Sequence, residues 1–241
     1  MTARLDEQHQ LYSQFLKTDL TFIIHYPPHY DPTHKYPYLI VQDGQDFITY
    51  GDLFTKSDAA MLAGTLHSYI TIAIPYESVA LRAERCHPNG ASFSNYQRCI
   101  AEELTPYLDA KLPSLQLAQG RYLAGVSLGA TFSLALCLRY RFTFGKVCLF
   151  SPFLDETLLE KCRTTTPVSL VISHTYGTDE QHVDTTFGEP DCDFTTPNQQ
   201  LATIWSEQTD YTGWTFNGAH LWRHWSDQLA QSLQVFNEKE F

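Results

Sequence analysis

Ser127 lies in a Gly-x-Ser-x-Gly pattern, between Gly125 and Gly129. A serine on a sharp turn between a strand and a helix can act as a nucleophile. Such a nucleophile elbow needs small flanking residues, because larger side chains would collide with the neighbouring strand and helix. The run 121–126 predicts a strand and residues 130–140 predict a helix. A glycine-lined structural bend is the alternative, but the order strand, turn, helix favours Ser127 as a nucleophile.

A serine hydroxyl becomes an effective nucleophile when an imidazole accepts its proton. Four histidines follow Ser127 in the chain: His174, His182, His220 and His224. His174 falls inside a predicted strand, which favours a core role, and His182 falls in a polar loop, which favours a solvated side chain. His224 falls one turn into the last predicted helix and is expected to pack. His220 directly follows a strand and a glycine turn, so it is the predicted general base.

The acid that orients the histidine comes between the serine and the histidine in this chain order. Asp179, Glu180 and Asp184 follow the predicted strand 167–174 and are the candidates. Asp193 is a further candidate, although capping of a helix N-terminus or loop bonding is its ordinary role. Spacing alone leaves Asp179 and Glu180 as alternatives.

An oxyanion hole needs two backbone N–H groups directed at the developing negative charge. We expect one from Leu128, directly after the serine, and the other from Gln45, with Gly44 permitting the turn after an early strand. Asp43 and Asp46 flank this turn and could suggest a metal site, but no matching ligand cluster accompanies them. The sequence therefore predicts neither a metal nor a cofactor.

Strands and helices alternate along the chain, which predicts an α/β-hydrolase fold: a mostly parallel central sheet with helices on both faces and no separate lid domain. Ligands of such sheets bind outside the carboxyl ends of the strands. Segments ending at Gly44, Ser127, Tyr176 and Phe216 should therefore converge on one rim. The predicted strands are 20–26, 38–44, 68–76, 121–126, 146–150, 167–174 and 212–216, and the predicted helices are 92–112, 130–140, 198–208 and 221–236.

Composition narrows the function classes. The 241 residues carry a formal net charge of -11, which argues against nucleic acid or an anionic membrane surface as a partner. The charged N-terminal stretch lacks the apolar region of a signal peptide, no apolar run reaches membrane-spanning length, and the six dispersed cysteines are typical of buried free thiols. We therefore expect a single cytoplasmic domain, residues 1–241, that acts as a monomer or homodimer.

With these pieces in order, the chain resembles the putative-esterase family of α/β-hydrolases. This family includes enterochelin and bacillibactin trilactone esterases and is related to S-formylglutathione hydrolases and feruloyl esterases. The resemblance covers nearly the whole chain. It is carried by the segments "YPPHYDPTHKYPYLIVQDGQDFITYGDL", "AIPYESVALRAERCHPNG", "EELTPYLDAKLP", "GRYLAGVSLGATFSLALCLRYRFTFGKVCLFSP", "GTDE", "DFTTPN" and "NGAHLWRHWSDQL".

The resemblance implies a carboxylic ester hydrolase with Ser127 as nucleophile and His220 as base. Feruloyl esterases and S-formylglutathione hydrolases carry the acid at the end of a Gly-x-x-Asp pattern, which points to Glu180 here, with Glu replacing the more frequent Asp. Some siderophore esterases work with little or no acid, so Glu180 could be dispensable. The His-Gly turn of the family is here Asp43-Gly44, as in the siderophore esterases.

The segment 77–90 resembles a family segment that places an arginine near the rim. Arg82 is therefore a candidate substrate contact, with a structural salt bridge as the alternative. His87 is expected to pack beside Pro88. The net charge disfavours a strongly anionic substrate unless Arg82 or Arg85 faces the site.

We interpret the chain as a serine hydrolase that acts through an acyl-enzyme on a small-molecule ester with a short-chain or aromatic acyl group. A siderophore lactone is one possible substrate, and the absence of a lid domain predicts an open cleft. Within the same fold the alternatives are a thioesterase, an acyltransferase or a non-catalytic binding protein.

Overall fold

Short runs rich in β-branched and aromatic residues build the centre of the sheet. The computed structural model describes residues 6–165, 169–206 and 210–237. Within these ranges eight strands form one sheet: β1 (Asp6–Ser13), β2 (Thr18–His25), β3 (Tyr38–Gln42), β4 (Ile70–Ile74), β5 (Arg121–Val126), β6 (Lys146–Phe150), β7 (Val171–Gly177) and β8 (Tyr211–Phe216). The central strands β3, β4 and β6 are buried at every residue, as expected for parallel strands covered on both faces.

The strand order is β1-β2-β4-β3-β5-β6-β7-β8. Pairing is parallel from β4 through β8, whereas β2 runs antiparallel to both β1 and β4. The predicted mostly parallel sheet is therefore confirmed, with an antiparallel hairpin added at one edge. The sequence analysis missed β1 because its residues, DEQHQLYS, are mostly polar and exposed, as an edge strand permits.

The helices cover both faces of the sheet. They are α1 (Gly44–Thr49), α2 (Leu53–Leu62), α3 (Val79–Cys86), α4 (Phe93–Arg98), α5 (Thr105–Lys111), α6 (Leu128–Arg139), α7 (Glu156–Thr164), α8 (Thr195–Trp205) and α9 (Trp222–Leu233). One core cluster packs α3 through α8 against one face, and a second packs α1, α2 and α9 against the other. Alternate strand residues supply the two clusters, since successive side chains point to opposite faces.

The predicted helix 92–112 is interrupted by a π-helical segment, Cys99–Leu104, between α4 and α5. Pro106 follows this segment and has no N–H to donate to the preceding turn, which accounts for the disturbance expected there. The hydroxyl of Thr105 donates a 2.8 Å hydrogen bond to the carbonyl of Ile100. The chain thus continues as a helix with one widened turn.

Several helices were missing from the sequence predictions. Two of them carry an N-terminal cap: Ser78 accepts from the N–H of Leu81 before α3, and Asp155 accepts from that of Leu158 before α7. Helices α1 and α2 instead begin after Asp43 and Asp52, which adopt left-handed conformations without a side-chain cap. Residues 167–168 of the predicted strand 167–174 and residues 207–208 of the predicted helix 198–208 lie outside the described residues.

The carboxyl ends of β3, β5, β7 and β8 meet at one rim, as predicted. The described residues form no separate lid domain, and the longest connection that they contain, 178–194, joins β7 to α8. In the described ranges, no helix has both the length and the apolarity to span a membrane.

Candidate active site

Ser127 lies at the tip of the turn between β5 and α6. Its backbone has φ 53° and ψ −123°, a conformation that non-glycine residues rarely adopt and that marks strained functional turns. The N–H of Ser127 donates to the carbonyl of Phe150 at 2.9 Å, and its own carbonyl accepts from the N–H of Thr131 at 3.0 Å. These bonds hold the backbone on both sides of the turn. The sequence pattern that predicted this turn is therefore formed as a strand, a strained serine and a helix.

The flanking glycines are needed for space. A Cβ on Gly125 would overlap the backbone of Gly129, at the start of α6. A Cβ on Gly129 would lie 2.7 Å from Oδ2 of Asp43. The close approach brings the end of β5, the first turn of α6 and the end of β3 together around Ser127.

His220 reaches Ser127 from the loop after β8. Its Nε2 lies 3.0 Å from Oγ of Ser127. The imidazole packs against Phe194, with ring centroids 4.0 Å apart, and meets the ring of Trp225 edge-on at 4.6 Å. These two rings fix the plane of the imidazole and shield it from water on two sides.

Glu180 lies behind His220 and is completely buried. Its Oε2 is 3.3 Å from Nδ1 of His220, an electrostatic contact longer than a good hydrogen bond. Its Oε1 accepts a 2.8 Å hydrogen bond from the hydroxyl of Ser151, which in turn accepts from Nε1 of Trp225 at 3.0 Å. Trp225 therefore touches the histidine with its ring and supports the carboxylate through Ser151.

The other predicted acids lie elsewhere. Asp179 is exposed, and Oδ1 of this residue accepts from the hydroxyl of Thr178 at 3.2 Å. Asp193 accepts from the N–H of Thr196 at 3.0 Å and so caps the start of α8. Asp184 is exposed and lines the cleft, without a contact to His220. The fold thus brings Glu180, rather than Asp179, to the histidine.

The remaining downstream histidines are engaged away from Ser127. His174 is buried in β7 between the hydroxyl of Tyr211 at 2.7 Å and Oδ1 of Asn198 at 2.8 Å, and burial lowers its pKa to about 4. His182 is exposed and pairs with Asp191. His224 stacks on Phe216 in the first turn of α9.

The turn after β3 lies directly against the elbow. Its left-handed residue is Asp43, with φ 56°, and not Gly44 as the sequence analysis expected. Gly44 is required instead because a Cβ there would lie 2.7 Å from the backbone of β4. Gly44 and Gln45 are the first two residues of α1, and Leu128 is the first of α6. N–H groups at the first positions of a helix have no intrahelical acceptor, so these three amides are available to an anion.

Arg82 forms a buried bidentate ion pair with Asp43. Its Nε and Nη2 donate to the two carboxylate oxygens at 2.7 Å each, and Nη2 also donates to the carbonyl of Val126 at 3.2 Å. Burial alone would lower the pKa of Arg82, but the charge of Asp43 holds this pKa above its ordinary value. The guanidinium borders the cleft but is bound to the turn, which agrees with the salt-bridge alternative considered for this residue.

The other two groups singled out near Arg82 lie outside the cleft wall. Arg85 is buried against the ring of Tyr96 and lies 3.4 Å from Oε1 of Glu77. His87 packs against Phe153, with ring centroids 5.2 Å apart, and against the ring of Phe187 at 5.7 Å.

A cleft of about 390 Å³ opens over Ser127 and His220. Five aromatic side chains line it: Tyr50, Tyr76, Phe187, Trp222 and Trp225. The sequence analysis missed these residues and Ser151, although Trp225 and Ser151 fall within segments that carried the family resemblance. Over the described ranges, no group of three or more His, Cys, Asp or Glu side chains is arranged to hold a metal ion.

Comparisons with known proteins identify the family and the fold. The family model described as "Putative esterase" matches residues 13–236. The chain is 34% identical over 230 residues to the Bacillus subtilis (strain 168) protein "Uncharacterized protein YjcH", covering 95% of each chain.

Among solved structures, the chain is similar to enterochelin esterase from Shigella flexneri, with a TM-score of 0.81 and 19% identity over 97% of this chain. It spans only 58% of the length of that protein. It is also similar to the BES protein from Bacillus cereus, with a TM-score of 0.77 and 17% identity, covering 98% of this chain and 96% of the other. The fold is thus that of the α/β-hydrolase esterases, and the chain belongs to the "Putative esterase" family.

Proposed function

We propose that this protein is a serine esterase with Ser127 as nucleophile, His220 as general base and Glu180 as the acid that orients the base. The observation that carries the proposal is the 3.0 Å contact between Oγ of Ser127 and Nε2 of His220, on a strained turn that opens into a cleft. A hydroxyl and an imidazole at this distance can exchange a proton as the hydroxyl attacks a carbonyl.

In the first half of the reaction, Oγ of Ser127 attacks the ester carbonyl while Nε2 of His220 takes the hydroxyl proton. The carbonyl oxygen becomes an oxyanion that accepts hydrogen bonds from the amides of Leu128 and Gln45, next to Gly44. Collapse of this intermediate breaks the ester C–O bond, and His220 returns the proton to the departing alcohol. The acyl group is then held as an ester of Ser127.

In the second half, His220 takes a proton from water as the water attacks the acyl-enzyme carbonyl. The oxyanion forms at the same two amides, the bond to Oγ breaks, and Ser127 recovers its proton from His220. The products are the free acid and the starting enzyme. The carboxylate of Glu180 stabilises the imidazolium that forms in each half.

The aromatic walls of the cleft favour a substrate with a short-chain or aromatic acyl group, because flat rings can stack on Tyr and Trp side chains. A siderophore lactone is the second candidate, since similar solved structures include enterobactin esterase from Shigella flexneri in the presence of enterobactin. Two expectations from the sequence stay predictions: the single domain over residues 1–241 and the cytoplasmic location.

The proposal is tested with Ser127→Ala and with a fluorophosphonate probe. We expect the native protein to hydrolyse 4-nitrophenyl acetate and to be labelled at Ser127, and Ser127→Ala to lose both properties while keeping its circular dichroism spectrum. Full hydrolysis by Ser127→Ala would refute the mechanism. A panel containing an acyl ester, an aryl ester, a thioester and a trilactone, compared by kcat/KM, then ranks the substrates. Transfer to added alcohols would indicate an acyltransferase.

A further inference from the structure

The charges around the cleft are unbalanced. Arg82 is the one lysine or arginine among the described residues that line it, and its guanidinium is already neutralised by the bidentate pair with Asp43. The lining also contains two other carboxylates, Asp46 and Asp184. Three aspartates and one arginine therefore line the described cleft, an excess of two acidic side chains over basic ones.

Asp46 is the better placed of these two carboxylates. It is half-buried in the first turn of α1, next to the amides proposed for the oxyanion hole, and its Oδ2 accepts a 3.0 Å hydrogen bond from the hydroxyl of Tyr76. That bond and the helix N-terminus stabilise the ionised form, whereas burial raises the pKa of the group. Asp184 is exposed, so water screens its charge more strongly.

Aromatic rings surround the same space. Tyr50 directly follows α1, four residues after Asp46, and its ring centroid is 6.1 Å from that of Trp222. Tyr76 follows the carboxyl end of β4, and its hydroxyl donates a hydrogen bond to the carboxylate of Asp46. Aromatic faces attract cations and pack well against alkylammonium groups, so the rings and the carboxylate favour the same kind of ligand.

We propose that Asp46 determines charge specificity, so that the cleft prefers esters carrying an ammonium group over uncharged isosteres and disfavours esters carrying an additional carboxylate. The inference rests on the proposed function, because it concerns the substrate that Ser127 attacks. In the sequence analysis, binding of an anionic substrate depended on whether Arg82 or Arg85 faces the site. Arg82 is paired with Asp43, and Arg85 lies outside the cleft lining beside Glu77.

Matched esters separate charge from shape. On the acyl side, the 4-nitrophenyl esters of 4-(trimethylammonio)butanoate and 5,5-dimethylhexanoate differ only in a nitrogen or carbon at the branch point, and the half-ester of glutarate supplies the anion. On the alcohol side, acetylcholine and 3,3-dimethylbutyl acetate differ in the same way, by a nitrogen or carbon at the branch point. At pH 8 and low salt, we expect kcat/KM for the cationic member to exceed that of its neutral partner by about tenfold on the side that faces Asp46.

Asp46→Asn should lower this cationic-to-neutral ratio by about tenfold, and raising the salt to about 1 M should lower it in the native protein. Asp19→Asn is the matched control, because Asp19 is an exposed aspartate outside the cleft lining and its removal changes the net charge equally. It should leave the ratio unchanged. The ratio compares two substrates in one variant, so a general loss of activity or stability does not alter it.

Three results would overturn the inference: no cationic preference in either series, an equal fall for cationic and neutral esters in Asp46→Asn, or an equal change of the ratio in Asp19→Asn. Each differs from failure of the proposed function. In that case neither the neutral esters nor the fluorophosphonate probe would react at Ser127.

Discussion

Replacing Glu180 by Gln should lower activity strongly without weakening the fold. The substitution keeps the shape of the side chain and an acceptor for the hydroxyl of Ser151, but it removes the charge 3.3 Å from Nδ1 of His220. Two unit charges about 4 Å apart interact by about 4 kcal/mol at an effective dielectric constant of about 20. Part of this is already present as a charge–dipole attraction in the resting state, so we expect a loss of about 3 kcal/mol in the transition state.

That loss corresponds to a fall in kcat of about 100-fold or more, since each 1.4 kcal/mol is about tenfold. The free energy of unfolding, in contrast, should rise or stay the same. Glu180 is completely buried, and although Oε1 accepts from Ser151, Oε2 has no hydrogen-bond partner among the described residues, so the native fold carries a desolvation cost for the carboxylate that an uncharged amide lacks. The free energy of unfolding of Glu180→Gln in urea should therefore equal or exceed that of the native protein.

The assay is kcat for 4-nitrophenyl acetate at pH 8, beside urea unfolding followed by circular dichroism. Asp179→Asn is the control, because Asp179 is the adjacent exposed carboxylate. We expect it to keep activity within about twofold, as surface substitutions usually do little. Activity of Glu180→Gln within a few-fold of native would show that the acid is dispensable. A large loss in Asp179→Asn alone would refute the assignment.

Three further predictions concern the framework of the site. Arg82→Met should reduce the free energy of unfolding, measured in urea, by about 3–5 kcal/mol, because it leaves the buried carboxylate of Asp43 unpaired. A smaller loss would mean that water reaches this ion pair. Gly125→Ala should lower the melting temperature and the expression of soluble protein, because its methyl group would overlap Gly129, and a native melting temperature would contradict that packing. His174 has a pKa of about 4 in the fold, below its unfolded value of about 6.5, so the unfolded chain binds more protons between these two pH values. The free energy of unfolding should therefore fall as the pH decreases through this range, by up to about 1.4 kcal/mol per pH unit. His174→Gln should flatten this dependence in urea unfolding, and an unchanged slope would assign the effect to other groups.

The sequence predicted those parts of the site that depend on local pattern. The strand, glycine-flanked serine and helix follow one another within twenty residues, and His220 follows the last strand directly, so order alone identified both. Glu180 and Asp179 are neighbours on one turn, and side-chain direction there depends on how the loop folds back onto Gly218. Spacing therefore left both acids open and the family resemblance pointed to Glu180, and the structure buries Glu180 beside His220 while Asp179 is exposed.

Other parts depend on contacts between distant segments, which a local pattern does not encode. Ser151 and Trp225 meet 74 residues apart, between the end of β6 and α9, to support Glu180. Edge strand β1 was missed because it has no apolar alternation to reveal it. Helices α1 and α2 are only six and ten residues long, and each begins after an aspartate in a left-handed conformation that the local sequence pattern does not reveal.

The pairing of Arg82 with Asp43 explains why the charge preference of the cleft could not be read from composition. The chain has enough arginines to serve an anionic substrate, and the resemblance placed one at the rim. In the fold that arginine ties the turn before α1 to the end of β5 through Asp43 and the carbonyl of Val126. The same bonds that hold the two helix N-termini around Ser127 engage Nε and Nη2 of the guanidinium. Asp46, in the first turn of α1, is then the one charged side chain of that helix, so the proposed oxyanion hole and the proposed charge preference of the cleft both depend on this ion pair.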